Sequence, residues 1–285
     1  TAKNSLITAK GKRPQKPRQK TSPIKGDKKV EENRTNESDD SSVTILLPTY
    51  CEAENIENLI HTIENLGINS RIIVIDDSSP DGTGDIVKKL QRKYENIMLL
   101  TRPFKAGLGT AITHGFHFIL AQSAPSKYIV TMDADYSHDP MEIPKLLQEA
   151  RKGYDIVVGS RYCNGGVVKG WPMTRLAISK IANKITAKLV ALPITDFTSG
   201  FRCYSREYIR KILPNLHSQT YEIQIETLRQ ASINRARVVE VPITFTNRKK
   251  GKSKLTKNEI LSFLLYVMKT AFRSLKTVSF GKHHA

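Results

Sequence analysis

The apolar and polar residues from position 43 to about 160 follow two alternating patterns, one typical of buried strands and one typical of amphipathic helices. Short apolar runs predict five strands: Val43–Leu47, Arg71–Ile75, Asn96–Leu100, Lys127–Met132 and Asp155–Val158. Apolar residues at helical spacing predict the helices between them: Glu52–Leu66, Asp85–Tyr94, Leu108–Gln122, and Asp139 to about Lys152. Strands and helices that alternate in this way predict an α/β fold, with helices on both faces of a mostly parallel sheet.

After residue 165 the alternation becomes less regular. The pattern there predicts a helix, a polar loop, a second helix and a strand, over Thr174–Leu192, Asp196–Arg202, Glu222–Arg229 and Val238–Phe245 respectively. A basic run, Asn247–Lys257, precedes Ile260–Phe272, a last predicted helix that is apolar nearly all round. Its basic flanks suit an amphipathic helix at a membrane interface, although packing on the domain explains its apolar residues equally well.

Polar residues follow four of the predicted strands at the point where each strand ends. These groups are Pro48–Glu52, Asp76–Asp77, Asp133–Asp135 and Gly159–Arg161. Ligands of open parallel sheets bind outside the carboxyl ends of the strands. The sequence therefore predicts a binding site at this edge of the sheet.

Asp133 and Asp135 are the most informative of these residues. They are two positions apart at the end of a buried strand, so their carboxylates project to the same side. Two like charges in this position repel each other and resist desolvation, and a divalent cation such as Mg²⁺ or Mn²⁺ would compensate them. An isolated Asp-x-Asp sequence is more often a solvated acidic turn, so the metal interpretation depends on the neighbouring motifs.

The charge of the chain narrows the choice of partners. Among 285 residues, 45 are Lys or Arg and 27 are Asp or Glu, which gives a net charge of +18. The segment 1–42 is rich in basic residues and proline and poor in large apolar residues, so we expect a disordered basic tail. Basic residues also outnumber acidic ones in the rest of the chain, and this positive charge suits phosphorylated substrates or an anionic membrane surface. Nucleic acid is not expected as a partner, because the sequence contains no recognised nucleic-acid-binding motif.

The three cysteines, Cys51, Cys163 and Cys203, are far apart and odd in number, and they lack the spacing of a metal site. They predict free thiols in a reducing, cytosolic environment. No apolar run reaches the roughly 18 to 20 residues that a membrane-spanning helix requires.

Three motifs of the chain resemble the family 2 inverting glycosyltransferases: Leu47–Asn55, Ile75–Thr83 and Asp133–Pro140. A narrower similarity, to the members that transfer mannose from GDP-mannose to dolichyl phosphate, rests on Gly159–Tyr162, Trp171–Arg175 with Ser179, Thr195–Arg202 and Arg248–Leu255. The resemblance covers about 43–272. It implies a GT-A type, Rossmann-like fold, with a glycosyltransferase catalytic domain over 43–255 and a C-terminal interfacial helix and tail over 256–285.

The resemblance also implies an activity and a location. The product would be dolichyl β-D-mannosyl phosphate, formed with inversion and used in protein glycosylation and GPI-anchor pathways. The enzyme would bind peripherally to the cytoplasmic face of the endoplasmic reticulum membrane, together with a small membrane-anchoring subunit.

Individual residues receive roles from the same resemblance. The residues implied to hold the nucleotide sugar are Pro48, Tyr50, Glu52, Ile75, Asp77, Asp133, Ala134, Asp135, Arg161, Arg248 and Lys254. Asp135 and Arg161 are expected to act in catalysis, and the metal ligands would be Asp133 and Asp135. Ser137 is a weaker candidate ligand, because some relatives carry Gln there. Arg175 and Ser179 would share one helix face and receive the acceptor phosphate.

Several alternatives stay open at this point. Arg161 and Arg175 could each be a surface salt-bridge partner, Asp76 could brace a loop, and the histidines could be structural. The runner-up activity is transfer of glucose from UDP-glucose to dolichyl phosphate, or another polyprenyl-phosphate glycosyltransferase reaction. A different class of function is an inactive basic scaffold for a membrane or for RNA.

Overall fold

The computed structural model of the chain describes residues 43–123 and 126–248. The strands in these ranges are β1 (Val43–Thr49), β2 (Ser70–Asp76), β3 (Ile97–Thr101), β4 (Tyr128–Thr131), β5 (Ile156–Ser160), β6 (Val167–Lys169), β7 (Arg202–Ser205), β8 (Val238–Pro242) and β9 (Thr244–Thr246). The α-helices are α1 (Ile56–Glu64), α2 (Thr83–Gln91), α3 (Leu108–Ala121), α4 (Ile143–Arg151), α5 (Met173–Val190), α6 (Arg206–Ile212) and α7 (Ile223–Ile233).

Seven of these strands form one sheet in the order β3-β2-β1-β4-β7-β5-β8. Strands β1 to β4 are parallel to one another, and β5 is parallel to β8. Strand β7 lies between β4 and β5 and is antiparallel to both. The short strands β6 and β9 pair separately as a parallel ribbon. The predicted α/β fold with a mostly parallel sheet is therefore confirmed.

Two hydrophobic clusters, one on each face of the sheet, hold this arrangement together. Neighbouring residues of β1 illustrate the division, since Ile45 and Leu47 belong to one cluster and Leu46 to the other. Side chains of a strand alternate between the faces, so a fully apolar strand supplies both clusters. Helix α3 approaches the sheet closely at Gly115, where a Cβ atom would lie 2.6 Å from the methyl groups of Leu46.

The second half of the chain departs from the sequence prediction in two places. The predicted polar loop Asp196–Arg202 runs into a central strand, β7, and into α6, neither of which was predicted. The predicted strand Val238–Phe245 is two strands in separate sheets, β8 and β9. The backbone N–H of Ile243, between them, donates to the carbonyl of Ser160, and the chain there leaves the large sheet for the ribbon.

Some predictions concern residues outside the described ranges. They include the basic tail 1–42, Lys254, and the terminal helix and tail 256–285. None of the helices in 43–123 and 126–248 combines the length and apolar character needed to cross a bilayer. The three cysteines are free thiols, as predicted.

Candidate active site

The carboxyl ends of β1, β2 and β4 form the floor of a cleft, which we name the sheet cleft. Its lining consists of Pro48, Thr49, Tyr50, Glu52, Asp77, Lys105, Gly107, Leu108, Ala111, Asp133, Ala134, Asp135, Tyr221 and Arg248. Eight of the eleven residues that the family resemblance assigned to the nucleotide sugar are in this set. The rule that ligands bind beyond the carboxyl ends of parallel strands thus brings together residues that are up to 200 positions apart, from Pro48 to Arg248.

Three of the eleven do not line the sheet cleft. Ile75 is fully buried in the hydrophobic core, because α3 packs over this part of β2 and brings Gly115 close to its side chain. The prediction that Ile75 lines the nucleotide pocket is therefore wrong. Arg161 lines a neighbouring cleft instead, and Lys254 lies outside the described residues.

The neighbouring cleft, of about 550 Å³, runs beside the first two turns of α5, and we name it the α5 cleft. Its walls include Arg161, Trp171, Arg175, Ile178, Ser179 and Phe245. Asp133, Asp135, Tyr221 and Arg248 line both clefts. The acidic pair is therefore the junction between a polar cleft at the sheet edge and a partly apolar cleft beside a helix.

Asp135 is the more buried member of the acidic pair and is held by two close contacts. Its Oδ2 atom lies 2.8 Å from Nη2 of Arg248, and its Oδ1 atom accepts a hydrogen bond of 3.0 Å from the backbone N–H of Ser137. Burial alone would raise the pKa of Asp135, but contact with Ser137 and the charge of Arg248 hold this pKa below its usual value. Asp135 is therefore a carboxylate at neutral pH.

Asp133 faces the junction of the two clefts, where 41% of its side chain remains accessible. Desolvation, reinforced by the negative charge of Asp135, raises the pKa of Asp133 despite the opposing effect of His138 and Arg248. The pKa values of the two carboxylates are therefore shifted in opposite directions, upward for Asp133 and downward for Asp135. A cation bound at the junction would reverse the shift of Asp133, because an adjacent positive charge favours the ionised form.

The acidic pair fits a hard divalent cation. Beside the two carboxylates, the hydroxyl oxygen of Ser137 is buried and has no hydrogen-bond partner among the described residues. Within 43–123 and 126–248 there is no group of three or more His, Cys, Asp or Glu side chains placed to hold a metal. Two carboxylates and one hydroxyl would leave positions for substrate phosphates and water, which is how Mg²⁺ is usually held.

His138 orders the backbone of this acidic loop. Its ring is buried and stacks on Phe201 at 5.2 Å, and its Nδ1 atom accepts a hydrogen bond of 3.2 Å from the backbone N–H of Asp133. Burial lowers the pKa of His138 more than the nearby carboxylates raise it. The imidazole is therefore neutral, with its proton on Nε2, and the structural interpretation of this histidine is supported.

We expect His138 to make the protein less stable in mildly acidic solution. Its pKa in the folded state lies below the value of 6.5 found in an unfolded chain, so its contribution is complete above pH 6.5 and is lost as the pH falls from there toward the folded-state pKa. The slope contributed is at most about 1.4 kcal/mol per pH unit. Urea unfolding between pH 5 and 8 should show a flatter profile for His138→Gln than for the exposed control His217→Gln. Identical slopes would contradict this role.

Asp77 is tied to a residue that the sequence did not single out. Arg102 donates to the two carboxylate oxygens of Asp77 from Nε and Nη2, at 2.6 and 2.7 Å. Lys105, three residues later, lines the sheet cleft with its ammonium group 5.1 Å from the ring centre of Tyr50. Arg102 directly follows β3, a parallel strand of the same sheet. The strand-end rule that identified Asp77 would have identified Arg102 as well.

Asp76 has the bracing role that its turn context suggested. Its carboxylate accepts hydrogen bonds from Thr49 Oγ1 at 3.0 Å and from the backbone N–H of Ser79 at 3.0 Å. These bonds link the end of β1 with the end of β2 and with the loop that follows it, at the edge of the sheet cleft.

Arg161 forms a buried, two-pronged ion pair with Asp196. Its Nε and Nη2 atoms lie 2.7 and 2.8 Å from the two carboxylate oxygens, and its backbone N–H also donates to Asp196 at 3.0 Å. Burial alone would raise the pKa of Asp196, but the charge and hydrogen bonds of Arg161 hold this pKa below its usual value. The salt-bridge interpretation of Arg161 is therefore correct, but the pair is in the interior rather than on the surface. This engagement leaves little of the guanidinium fork for a donor phosphate.

Arg175 and Ser179 lie on the first two turns of α5, and both line the α5 cleft, as their spacing suggested. Ser179 Oγ accepts a hydrogen bond of 2.7 Å from the hydroxyl of Tyr162. Arg175 has no acidic partner among the described residues, and its guanidinium carbon lies 4.1 Å from the ring centre of Trp171. The alternative that Arg175 is a surface salt-bridge partner is therefore wrong.

Comparison with known proteins gives consistent results. Residues 44–213 match the family model described as glycosyl transferase family 2. Over 231 residues the chain is 38% identical to polyprenol monophosphomannose synthase of Mycolicibacterium smegmatis, with 80% of this chain and 86% of the relative covered. It is also 38% identical over 231 residues to dolichol-phosphate mannosyltransferase of Pyrococcus furiosus, where 79% of this chain and 62% of the relative are covered.

A solved structure with a similar fold is glucosyl-3-phosphoglycerate synthase from Mycobacterium tuberculosis, in complex with Mn²⁺, UDP and glucosyl-3-phosphoglycerate. The TM-score is 0.58 at 19% sequence identity, and 81% of this chain and 79% of that chain are covered. At this identity the similarity concerns the fold alone, and it confirms the expected GT-A architecture.

Proposed function

The chain belongs to glycosyl transferase family 2, and we propose that it transfers mannose from GDP-mannose to the phosphate of dolichol or a similar polyprenol. The observation that carries this proposal is the meeting of two different clefts at one acidic pair. A polar cleft at the sheet edge suits a nucleotide sugar, and a cationic, partly apolar cleft suits a lipid phosphate.

The sheet cleft has the features that a nucleotide diphosphate sugar requires. Asp77 can accept hydrogen bonds from a base or a ribose, and Tyr50 offers a ring for stacking. Arg248 lies beside Asp135, at the end of the cleft where the diphosphate would meet the acidic pair. The names of the two relatives support mannose as the sugar and a polyprenyl phosphate as the acceptor.

The α5 cleft suits an acceptor that combines a phosphate with a hydrocarbon chain. Arg175 and the hydroxyl of Ser179 lie on one wall, and they can bind phosphate oxygens. Ile178 and Phe245 belong to the same lining and offer an apolar surface to the first isoprene units. The cleft therefore pairs each part of a polyprenyl phosphate with a suitable group.

The exposed face of α5 supports the proposal that the enzyme acts at a membrane surface. Ile178, Ile181 and Ile185 are three to four residues apart on this helix and are 68%, 57% and 49% exposed. Exposed lysines accompany them at Lys180, Lys184 and Lys188. An exposed apolar face with a cationic border is typical of helices that lie in the headgroup region of a bilayer.

In this reaction the acceptor phosphate is the nucleophile. A phosphate monoester is largely dianionic at neutral pH, because its second pKa is about 6, so the enzyme needs no general base. Arg175 and Ser179 hold the phosphate so that one of its oxygens attacks the anomeric carbon from the α5 cleft. The bond from that carbon to the donor diphosphate breaks on the opposite side, GDP leaves into the sheet cleft, and the mannose configuration is inverted.

Charge stabilisation is the second contribution of the site. Arg248 neutralises part of the charge that develops on the departing diphosphate, and Asp135 orients Arg248 through their ion pair. A bound Mg²⁺ or Mn²⁺, held by Asp133 and Asp135 with Ser137 as a weaker neighbour, would supply further Lewis-acid stabilisation of the leaving group. Catalysis consists mainly of alignment and electrostatics.

We extend the proposal to the cellular setting that the family resemblance implies. The enzyme would bind peripherally at the cytoplasmic face of the endoplasmic reticulum membrane, next to a small membrane-anchoring subunit. Its product would serve protein glycosylation and GPI-anchor synthesis.

A donor-exchange assay tests the proposal. The full chain is incubated with a short-chain polyprenyl phosphate, Mn²⁺, and either radiolabelled GDP-mannose or radiolabelled UDP-glucose. We expect label to enter the lipid only from GDP-mannose. Transfer from UDP-glucose would instead establish the glucosyltransferase alternative, and no transfer from either donor would support the scaffold alternative.

Arg175→Ala should separate acceptor binding from donor binding. We expect the KM for the polyprenyl phosphate to rise about tenfold, because a charge-assisted contact of about 1.4 kcal/mol is lost. The Kd of GDP-mannose should change less than twofold, since its diphosphate lies in the other cleft. Arg92→Ala, an exposed arginine at the end of α2 that lines neither cleft, is the control and should leave both constants unchanged. A collapse of donor binding with a normal acceptor KM would place Arg175 in the donor site.

A further inference from the structure

The chain contains a single tryptophan, Trp171, and this residue lines the α5 cleft. It directly precedes Pro172, the N-cap of α5, and so it lies at the point where the chain enters the helix that carries Arg175. The indole ring packs edge to face against Phe245 of β9, with the ring centres 5.2 Å apart. This contact fixes the plane of the ring relative to the ribbon formed by β6 and β9.

The guanidinium of Arg175 lies over this ring, 4.1 Å from its centre. At this distance the cation is within the range of a favourable cation–π contact. Arg161 approaches the same ring, with its guanidinium carbon 5.5 Å from the centre. Trp171 is therefore shared by two of the arginines that line the α5 cleft.

The charges nearest to the Arg175 guanidinium are those of other arginines. Burial, together with the charges of Arg248 and Arg161, lowers the pKa of the Arg175 guanidinium. Among the described residues no carboxylate pairs with it, so the Trp171 ring is the contact that sets its position. A cation held by a ring face keeps its N–H groups available, because the ring does not occupy the hydrogen-bonding edges.

The indole N–H of Trp171 is a second feature. It is buried and has no hydrogen-bond partner among the described residues. Buried donors of this kind are usually satisfied. In the wall of a cleft that we assign to a phosphate, this donor has an evident use when the acceptor is bound.

We propose that Trp171 is a positioning residue for the acceptor phosphate, which holds the Arg175 guanidinium on its ring face with the N–H edges open to the phosphate. This inference rests on the proposed function, because it refines the site that receives the polyprenyl phosphate. It adds to Arg175 and Ser179 a third residue, which contributes to acceptor binding through its aromatic ring rather than through a charge.

Two variants separate the ring from the indole N–H. Trp171→Leu removes the cation–π contact, and we expect the KM for a short-chain polyprenyl phosphate to rise about five- to thirtyfold. Trp171→Phe keeps a ring and should cause a smaller rise. Tyr154→Leu is a matched control, because it removes a comparable contact, with Arg237 at 4.8 Å, at the end of β5 opposite to Arg161. The control should leave the acceptor KM unchanged.

A double-mutant cycle tests the mechanism of the effect. If the Trp171 ring acts through Arg175, Trp171→Leu and Trp171→Phe, which both lack the indole N–H, should have the same acceptor KM when each is combined with Arg175→Ala. A Leu-to-Phe difference in KM that persists without Arg175 would overturn the proposal, as would a normal acceptor KM in Trp171→Leu. The proposed function fails in a different way, through absence of mannose transfer by the unsubstituted chain.

The unsubstituted chain offers an independent measurement, since all its tryptophan fluorescence comes from Trp171. Titration with the short-chain polyprenyl phosphate should change the emission saturably, and Arg175→Ala should shift the midpoint about tenfold to higher concentration. Emission that does not respond to saturating acceptor would overturn the assignment. This test remains valid even if Trp171→Leu does not fold.

Discussion

Replacement of Asp135 by asparagine is expected to slow mannose transfer at least about a hundredfold, comparable to the loss of a principal electrostatic contact in a transition state. Asparagine has nearly the same shape and can still accept the N–H of Ser137, so the loop should keep its conformation. It lacks the charge that orients Arg248 and would attract a cation. The loss should therefore appear in turnover rather than in stability.

Initial rates at saturating GDP-mannose, acceptor and Mn²⁺ provide the measurement, with thermal unfolding as the check on folding. Asp85→Asn is the matched control, because Asp85 lies on the exposed surface of α2 and pairs there with Lys88. The control should retain full activity. Normal turnover of Asp135→Asn at saturating metal would exclude the assigned role.

Of the substitutions discussed, Asp196→Asn is expected to lower the free energy of unfolding most, by about 3 to 5 kcal/mol. Asp196 is fully buried and accepts hydrogen bonds from Arg161 and from the backbone N–H groups of Thr198 and Ser199. An amide cannot neutralise the guanidinium of Arg161, whose side chain is only 6% exposed. The substitution would leave a buried cation without its counter-ion, which is the costly way to break such a pair.

Urea unfolding at pH 7 measures this loss, and Tm should fall by roughly 6 to 20 °C for a domain of this size. Glu207→Gln is a suitable control. It removes the carboxylate of an exposed ion pair with Arg210, and exposed pairs contribute little. Equal losses in the two variants would show that burial of the Arg161–Asp196 pair has no special importance.

The sequence was sufficient for the first half of the fold and insufficient for the second. Strands β1, β2, β4 and β5 are buried on both faces and the edge strand β3 is partly buried, so each appears as an apolar run with polar residues at its end. Strand β7 is just as central, but it reads Arg-Cys-Tyr-Ser. The guanidinium of Arg202 is buried there because it donates to the carbonyl oxygens of Phe197 and Gln224. A pattern of polar and apolar residues cannot show that a charged side chain will find such partners.

The same distinction applies to the site. Strand ends located the acidic pair, and helical spacing brought Arg175 and Ser179 together, because both rules depend on local geometry. The ion pairs of Asp77 with Arg102 and of Arg161 with Asp196 join residues 25 and 35 positions apart. These pairings depend on the tertiary fold. The sequence could therefore indicate that Asp77 and Arg161 belong to the site, but it could not indicate which residue each of them pairs with.

The position of β7 has a consequence for the order in which the molecule can be assembled. Within the sheet, strand β4, which ends at the acidic pair, and strand β5 do not pair with each other, and each pairs with β7 between them. A growing chain that has not yet emerged as far as residue 205 therefore exposes one unpaired edge of β4 and both edges of β5, because β8 also follows residue 205. Such edges are prone to associate with other chains. The active centre can form only after this strand has inserted, so a ribosome that stalls shortly before it would release an aggregation-prone fragment.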